Sequence, residues 1–328
     1  MSRNLLRILT TVALAVSQPA AAQIATTKEI PTRIELHVVK SLWISDEQFL
    51  KGDTGGKEVL IGMELRVAQG AGKHPTVILM HGSGGIGANV PFWQRELNAI
   101  GINTLTIDGM TGRGLQGVGT NQAILGRLNL ILDIYRSLDV LAKHPRVDVN
   151  RIALMGFSRG GQAALYASLA RFHKQWNTSG IEIQAYIPFY PDCATTYQGD
   201  TDTVDKPIRI FHGTPDNYNP IATCKSYMAR LKDAKRDIAL TEYPNAPHGF
   251  DNPIAPTKAF EAKDNQSVRD CKIQELEPGK LVNTETKAIF TFQDACVRLH
   301  PLVGADKEAG AASLKEISTF LKGTFKMN

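Results

Sequence analysis

One short stretch limits the fold more than any other. The apolar run Ile152-Ala153-Leu154-Met155 leads directly into Gly156-Phe157-Ser158-Arg159-Gly160-Gly161, and an alanine-rich segment follows. A strand that turns at once into a helix holds the residue at the turn in a strained backbone with its side chain exposed. A serine there presents its hydroxyl, and Gly156 and Gly160 are needed because larger side chains would collide across the turn. The amide of Arg159 then points toward a developing oxyanion, at the start of a helix whose dipole favours negative charge. A bare G-x-S-x-G arises often by chance, and the plain alternative is a tight turn with a capping serine. Its position between an apolar strand and an Ala-rich helix gives this copy its weight.

The rest of the chain fits a frame of alternating strands and helices. Val77-Ile78-Leu79-Met80 reads as a strand buried on both faces. Pro91 opens a helix through Ile100, stopped by Gly101. Further strands are expected at Ile102 to Ile107, Ile152 to Met155, Ala185 to Phe189, Ile208 to Phe211 and Ile238 to Tyr243. Helices are expected over Ala123 to Leu141, from about Arg159 to Phe172, and from about Ala309 to Lys322. Arg33 to Lys40 and Val59 to Val67 carry strand-like residues, joined by the turn-rich Gly52 to Lys57. The expectation is an α/β fold: a mostly parallel central sheet with helices on both faces and functional residues at the carboxyl ends of its strands. Residues 251–306 do not fit this pattern and read as an insertion before the final helix, a lid or a decorated loop.

A serine hydroxyl is a weak nucleophile at neutral pH and needs a base, which in turn needs an orienting carboxylate. After a nucleophile of this kind the expected order is an acid, then a histidine. His173 falls within the helix after the serine, His212 ends a strand and His300 lies in the insertion. His248, in Asn245-Ala246-Pro247-His248-Gly249-Phe250, sits just past a strand between Pro and Gly and is the expected base. Asp216 follows Ile208 to Phe211 through His212-Gly213-Thr214-Pro215 and is the expected acid, with Asp192 as its competitor. Asp202 and Asp205 read as surface charges, and Asp251 is too close in sequence to His248. His81-Gly82-Ser83-Gly84-Gly85 stands where a second oxyanion donor belongs, with Ser83 favoured over Gly84 for the backbone N–H. Phe92, Trp93, Phe157 and Tyr218 are candidates for an acyl pocket, against the plainer reading of ordinary packing.

Arg3 and Arg7, the apolar Ile8 to Val16 and the small residues Ala20-Ala21-Ala22 form a signal-peptide pattern, with cleavage expected near Ala22-Gln23 and a periplasmic or secreted destination. The apolar run is shorter than the ~20 residues that span a bilayer, so no stable membrane anchor is expected. The remainder, residues 23–328, reads as a single domain with the insertion at about 251–306. The formal charge is +5, and without Arg3 and Arg7 it is +3, from 35 basic and 32 acidic residues. So small and evenly spread an excess gives no ground for a nucleic-acid partner. Cys193, Cys224, Cys271 and Cys296 suggest two disulfides in an exported chain. Of three pairings, Cys193 with Cys224 and Cys271 with Cys296 is favoured, because each pair brackets one segment. The spacing does not suggest zinc, and no metal or organic cofactor is expected.

Taken together, His81 to Gly85, the Gly156 to Gly161 turn, His212-Gly213 leading to Asp216, and Pro247-His248-Gly249-Phe250 resemble the dienelactone hydrolase family of α/β-hydrolases. Asp108 to Gly114, with Arg113, is similar to that family's loop after the next strand. The resemblance covers about residues 75–250 plus the last helix. It implies the α/β-hydrolase fold and hydrolysis of a small-molecule ester, lactone or thioester. The best-known members carry a cysteine nucleophile, so Ser158 points away from dienelactone and toward a serine esterase. Those members hold a substrate carboxylate with arginines. That makes Arg113 and Arg159 candidates for the same task, against the plain alternative of a structural ion pair. Candidate substrate contacts are therefore Arg113, Trp93 and Tyr218.

Two other readings compete. Gly82-Ser83-Gly84-Gly85-Ile86-Gly87 also fits G-x-G-x-x-G, and Asp108 lies about 20 residues on, where a dinucleotide-binding oxidoreductase places its ribose acid. Against this, the next helix starts near Pro91, after the glycines, which leaves a pyrophosphate without a helix N-terminus. A non-catalytic binding protein on the same fold is the other alternative.

Overall fold

The computed structural model describes residue 28 and residues 30–327; the expected signal segment lies outside them. Eight strands form one sheet: β1 (Arg33–Trp43), β2 (Lys57–Val67), β3 (His74–Met80), β4 (Asn103–Asp108), β5 (Val147–Phe157), β6 (Ala185–Phe189), β7 (Ile208–Gly213) and β8 (Ile238–Tyr243). Their order is β1-β2-β4-β3-β5-β6-β7-β8. The six strands from β3 onward run parallel, while β1 pairs antiparallel with β2, and β2 with β4. The link between β1 and β2, residues 44–56, holds a short helix over Asp46–Lys51 that ends at Gly52 in the left-handed region, and returns the chain antiparallel along β1.

The continuous apolar runs arise because both faces of the sheet are covered. Ile78, Met80, Ile152 and Leu154 pack into one core, whereas Val77, Leu79, Ala153 and Met155 alternate into the other. Helices α3 (Asn129–Lys143) and α4 (Arg159–Tyr166) bury their apolar residues in the first core. Helices α2 (Asn89–Ala99) and α7 (Lys307–Thr324) bury theirs in the second. The remaining helices are α1 (Asp46–Lys51), α5 (Ala170–Trp176) and α6 (Ile221–Asp233).

Two expected helices are interrupted. Over Ala123 to Leu141 the chain makes a 3-10 turn at Gln122–Ile124, extends at Leu125, and starts α3 only at Asn129. Gly126 fits tightly against Asp46 and Ile44, and the Asn129 side chain bonds both Ile44 N–H and Ile44 O. That tertiary contact overrides the helical period. From Arg159 to Phe172 the helix stops at Tyr166 and restarts at Ala170, because Ser168 O and the Ala170 N–H bond Val204 and Asp202 instead.

Between β8 and α7 the chain makes a long excursion. Its strand Ile273–Glu277 pairs antiparallel with Lys280–Asn283 and parallel with Thr195–Thr196, and Phe260–Glu261 pairs with Leu302–Val303. Val268, Cys271 and Ile273 form a small separate core with Phe290 and Phe292. Disulfides join Cys193 to Cys224 and Cys271 to Cys296. Each closes a loop of moderate length, which in the chain-entropy account contributes about 3–4 kcal/mol.

Candidate active site

The strand-to-helix turn brings Ser158 to the carboxyl end of β5 with φ 55° and ψ −115°. The glycines around it are packed, not spare. A Cβ on Gly156 would strike Gly160 O, one on Gly160 would strike Met80 O, and one on Gly161 would strike Phe189 O. Ser158 Oγ lies 2.9 Å from His248 Nε2, and His248 Nδ1 lies 2.8 Å from Asp216 Oδ2. Ser158, Asp216 and His248, expected from sequence to act together, are thus one hydrogen-bonded line. Asp216 and His248 are buried. The imidazole is flanked by the rings of Tyr190 and Tyr218, with centroids 4.7 and 4.6 Å away.

Asp216 has more support than the sequence suggested. Its Oδ1 accepts the amides of Tyr218 and Asn219 at 2.8 and 2.9 Å. Its Oδ2 also stands 3.2 Å from His212 Nε2, which reaches Asn219 O at 2.7 Å. In the sequence His212 only marks a strand end. Its spacing of four before Asp216, across a Gly-Thr-Pro turn, was the available signal. Burial opposes the Asp216 charge, but His248 and His212 outweigh it and hold the pKa well below the ordinary 3.8.

A depressed carboxylate pKa stabilises the fold fully above the unfolded value, and that contribution is lost as pH falls through the window below 3.8 toward the folded value. Urea unfolding of the native protein between about pH 5 and pH 2 is therefore expected to show stability falling with pH. The Asp216→Asn variant should show a shallower fall. Identical slopes would mean that Asp216 is not held ionised.

The loop from His81 to Gly85 passes directly over the serine: a Cβ on Gly82 would lie 3.3 Å from Ser158 Cβ. Buried His81 braces that loop. Its Nδ1 donates to Gly82 O at 2.8 Å and its Nε2 accepts Gly109 N–H at 3.0 Å, and burial pushes its pKa down. Ser83 O accepts Val118 N–H at 2.7 Å, and Ser83 Oγ donates to Gln122 Oε1 at 3.1 Å. The excursion braces both loops that carry the acid and the base. Ser267 Oγ donates to Tyr218 O at 2.6 Å, Arg269 Nη1 to Asn217 O at 2.9 Å, and Gly304 N–H to His248 O at 3.0 Å.

Other candidates serve elsewhere. Asp192 pairs with Arg127, and Asp202 is an exposed partner of Arg236. Asp251 is buried and accepts from Tyr190 and Trp93 at 2.6 and 2.8 Å. Two expected substrate contacts need correction. Arg113 is fully enclosed, with bonds of 2.7 and 3.0 Å to Asp133 and further bonds to Gly109 O and Leu42 O. It is a structural ion pair, because burial leaves its charge no partner but Asp133. Trp93 is buried in the core against Phe189 and donates its indole N–H to Asp251. Tyr218 and Phe157, by contrast, line a cleft of 220 Å³ that reaches Ser158 and His248.

The Arg159 side chain turns away into protein, donating to Gln122 Oε1 at 2.8 Å and to Leu125 O. Burial and then the Arg127 charge push its pKa down to about 10. The dinucleotide alternative finds no cradle. Helix α2 begins at Asn89, beyond the glycines, and Asp108 Oδ1 is taken by the amides of Met110 and Thr111 at 3.0 and 2.9 Å.

Among the described residues, Glu35, His37 and His144 bring three ligand-type atoms within 4.8 Å of one another. His144 Nδ1 accepts Arg146 N–H at 3.2 Å, so its Nε2 carries the ring proton and donates to Glu35 at 2.9 Å. Such a set reads as hydrogen-bonded rather than metal-ligating, since a ligating Nε2 must offer a lone pair.

The strand order, the serine at a strand-to-helix turn and the histidine and carboxylate on later loops are those of the α/β-hydrolase fold. The family model described as "Dienelactone hydrolase family" matches residues 116–272. Over those residues the chain is similar to the dienelactone hydrolase family. Among solved structures it is similar to the dienelactone hydrolase-like promiscuous phosphotriesterase P91 from metagenomic libraries, at 17% identity and TM-score 0.58, covering 89% of this chain and 98% of that one. It is also similar to the structure named m3DLH, at 18% identity and TM-score 0.57, covering 89% of this chain and 99% of that one.

Proposed function

We propose that the protein is a serine hydrolase that cleaves a small-molecule carboxylic ester, lactone or thioester through an acyl-enzyme. The observation that carries this reading is the unbroken line of hydrogen bonds from Ser158 Oγ through His248 to Asp216, at 2.9 and 2.8 Å. His248 Nε2 takes the proton as Ser158 Oγ bonds to the substrate carbonyl carbon. The backbone N–H groups of Arg159 and Ser83 stabilise the tetrahedral oxyanion. The protonated His248 gives its proton to the leaving oxygen or sulfur as that bond breaks, leaving an ester on Ser158. Water, deprotonated by His248, then attacks the same carbon, and the carboxylic acid departs as the serine regains its proton. Asp216 holds the imidazole in the tautomer that offers Nε2 to the serine and stabilises its cationic form.

We read residues 23–328 as one hydrolase domain with 251–306 as its insertion. The two disulfides favour a periplasmic or secreted location.

Intact-mass labelling with a fluorophosphonate tests the proposal. The expected result is one adduct on the native protein and none on Ser158→Ala. An unlabelled native protein, folded and with both disulfides closed, would overturn it.

A further inference from the structure

The cleft at Ser158 offers polar groups but no cation. Asn89, Asn252 and Asn265 contribute amides to its wall, and Phe157, Phe260 and Val303 contribute apolar surface. Among the described residues, no Lys, Arg, Asp or Glu lines it. A carboxylate drawn out of water needs a positive partner, because an unpaired buried ion costs far more than a neutral group of the same size. The buried arginines Arg113, Arg127 and Arg159 serve elsewhere. Arg113 is closed in with Asp133, and Arg127 with Asp192. Arg159 gives its Nη groups to Gln122 Oε1 and Leu125 O and does not line the cleft. Lys258 and Lys263, on either side of Phe260 in the chain, are exposed, and an ion pair made in water is worth little.

Behind the wall stand two carboxylates. Asp216, held ionised, lies 2.8 Å from the far nitrogen of the His248 ring. Asp251 is buried under Asn89 and Tyr190, which both line the cleft. It accepts Tyr190 Oη, Trp93 Nε1 and Asn89 Nδ2 at 2.6, 2.8 and 3.3 Å. All three donors are neutral and favour the ionised form, against burial, which raises its pKa. An anion entering the cleft would approach both carboxylates and leave its own charge without a partner. An uncharged group meets no such cost, and half-buried Asn252 and Asn265 can hydrogen-bond its oxygens.

We propose that the enzyme acts on uncharged esters and rejects those that carry a carboxylate. The inference rests on the serine-hydrolase reading. It departs from what the family resemblance implied for Arg113 and Arg159, and it does so on the lining of the cleft and the charges behind it. Selection of this kind works by repulsion and a missing partner rather than by a new attraction.

The test is kcat/KM for phenyl acetate, 4-acetoxybenzoate and methyl 4-acetoxybenzoate, on the native protein and on Phe260→Arg and Asp251→Asn. The two benzoates are close in shape and differ by one charge. Each value is divided by that ester's rate with hydroxide, which removes the difference in leaving group. On the native protein the methyl ester should exceed the acid by roughly 10- to 100-fold. Phe260→Arg sets a cation at the exposed rim of the cleft and should raise the ratio of acid to methyl ester about two- to fivefold. Asp251→Asn removes a carboxylate from behind the wall and should move the ratio the same way. Should that buried variant fail to fold, Phe260→Arg, at an exposed position, still decides. Acid turned over as well as the methyl ester would overturn the proposal, as would an unchanged ratio in Phe260→Arg. Loss of both benzoates alike, with phenyl acetate hydrolysed, would also overturn it, since size and not charge would then select. If the native protein hydrolyses none of the three, the serine-hydrolase reading itself has failed, and this one with it.

Discussion

Ser158→Ala is expected to lower kcat on a turned-over ester by roughly 10⁴- to 10⁶-fold while leaving the fold and KM little changed. The size follows from the geometry. The hydroxyl sits at the end of the Ser158–His248–Asp216 line, and among the described residues no other serine or cysteine hydrogen-bonds His248. The backbone donors and the cleft remain, so a residual advantage over water of about 10³–10⁴ should survive. His248→Ala should lose nearly as much, and the double variant little more than either, because the three side chains act as a unit. Steady-state kinetics on purified variants decides it. Ser158→Ala with an unchanged rate would remove the assignment.

Asp133→Ala is expected to cost about 3–5 kcal/mol of stability, measured by denaturant unfolding. Arg113 and Asp133 have no exposed side-chain surface, and Ser41 Oγ donates to the same carboxylate at 2.5 Å. Removing the acid leaves a guanidinium in the core with only two carbonyl partners, Gly109 O and Leu42 O. Replacing both members, as in Arg113→Met with Asp133→Leu, should recover much of the loss, because the penalty comes from the stranded charge rather than from the missing attraction. A loss under about 1 kcal/mol in Asp133→Ala would show that the guanidinium finds water or another partner.

This pair also marks where sequence reading stops. Nothing local distinguishes an arginine that meets substrate from one that meets a carboxylate 20 residues away. Buried parallel strands were legible because both their faces are apolar, and the serine turn was legible because its glycines are sterically forced. That Asp216 and His248 come together with Ser158 was legible from their strand-end positions. What escaped depended on contacts between distant segments. The break before α3 comes from Asn129 reaching Ile44, and the break after α4 from residues 202–204 capturing its backbone. Residues 251–306 carry little periodic pattern, since their short strands pair with Thr195–Thr196 and their small core is closed by Cys271–Cys296. His212 escaped for a different reason: a strand-end histidine has a ready structural explanation, and only the fold reveals its approach to Asp216.

The backbone at Ser158, with φ 55°, belongs to a region that suits glycine and costs other residues about 1–3 kcal/mol. Selection for robustness alone would drift this position toward glycine, and relaxed neighbours would let the turn open. A chain that keeps serine there bears a permanent thermodynamic handicap, tolerable only while hydrolysis matters to the cell. Among descendants that had lost the activity, this position should be one of the first to change, well before the apolar strands beneath it.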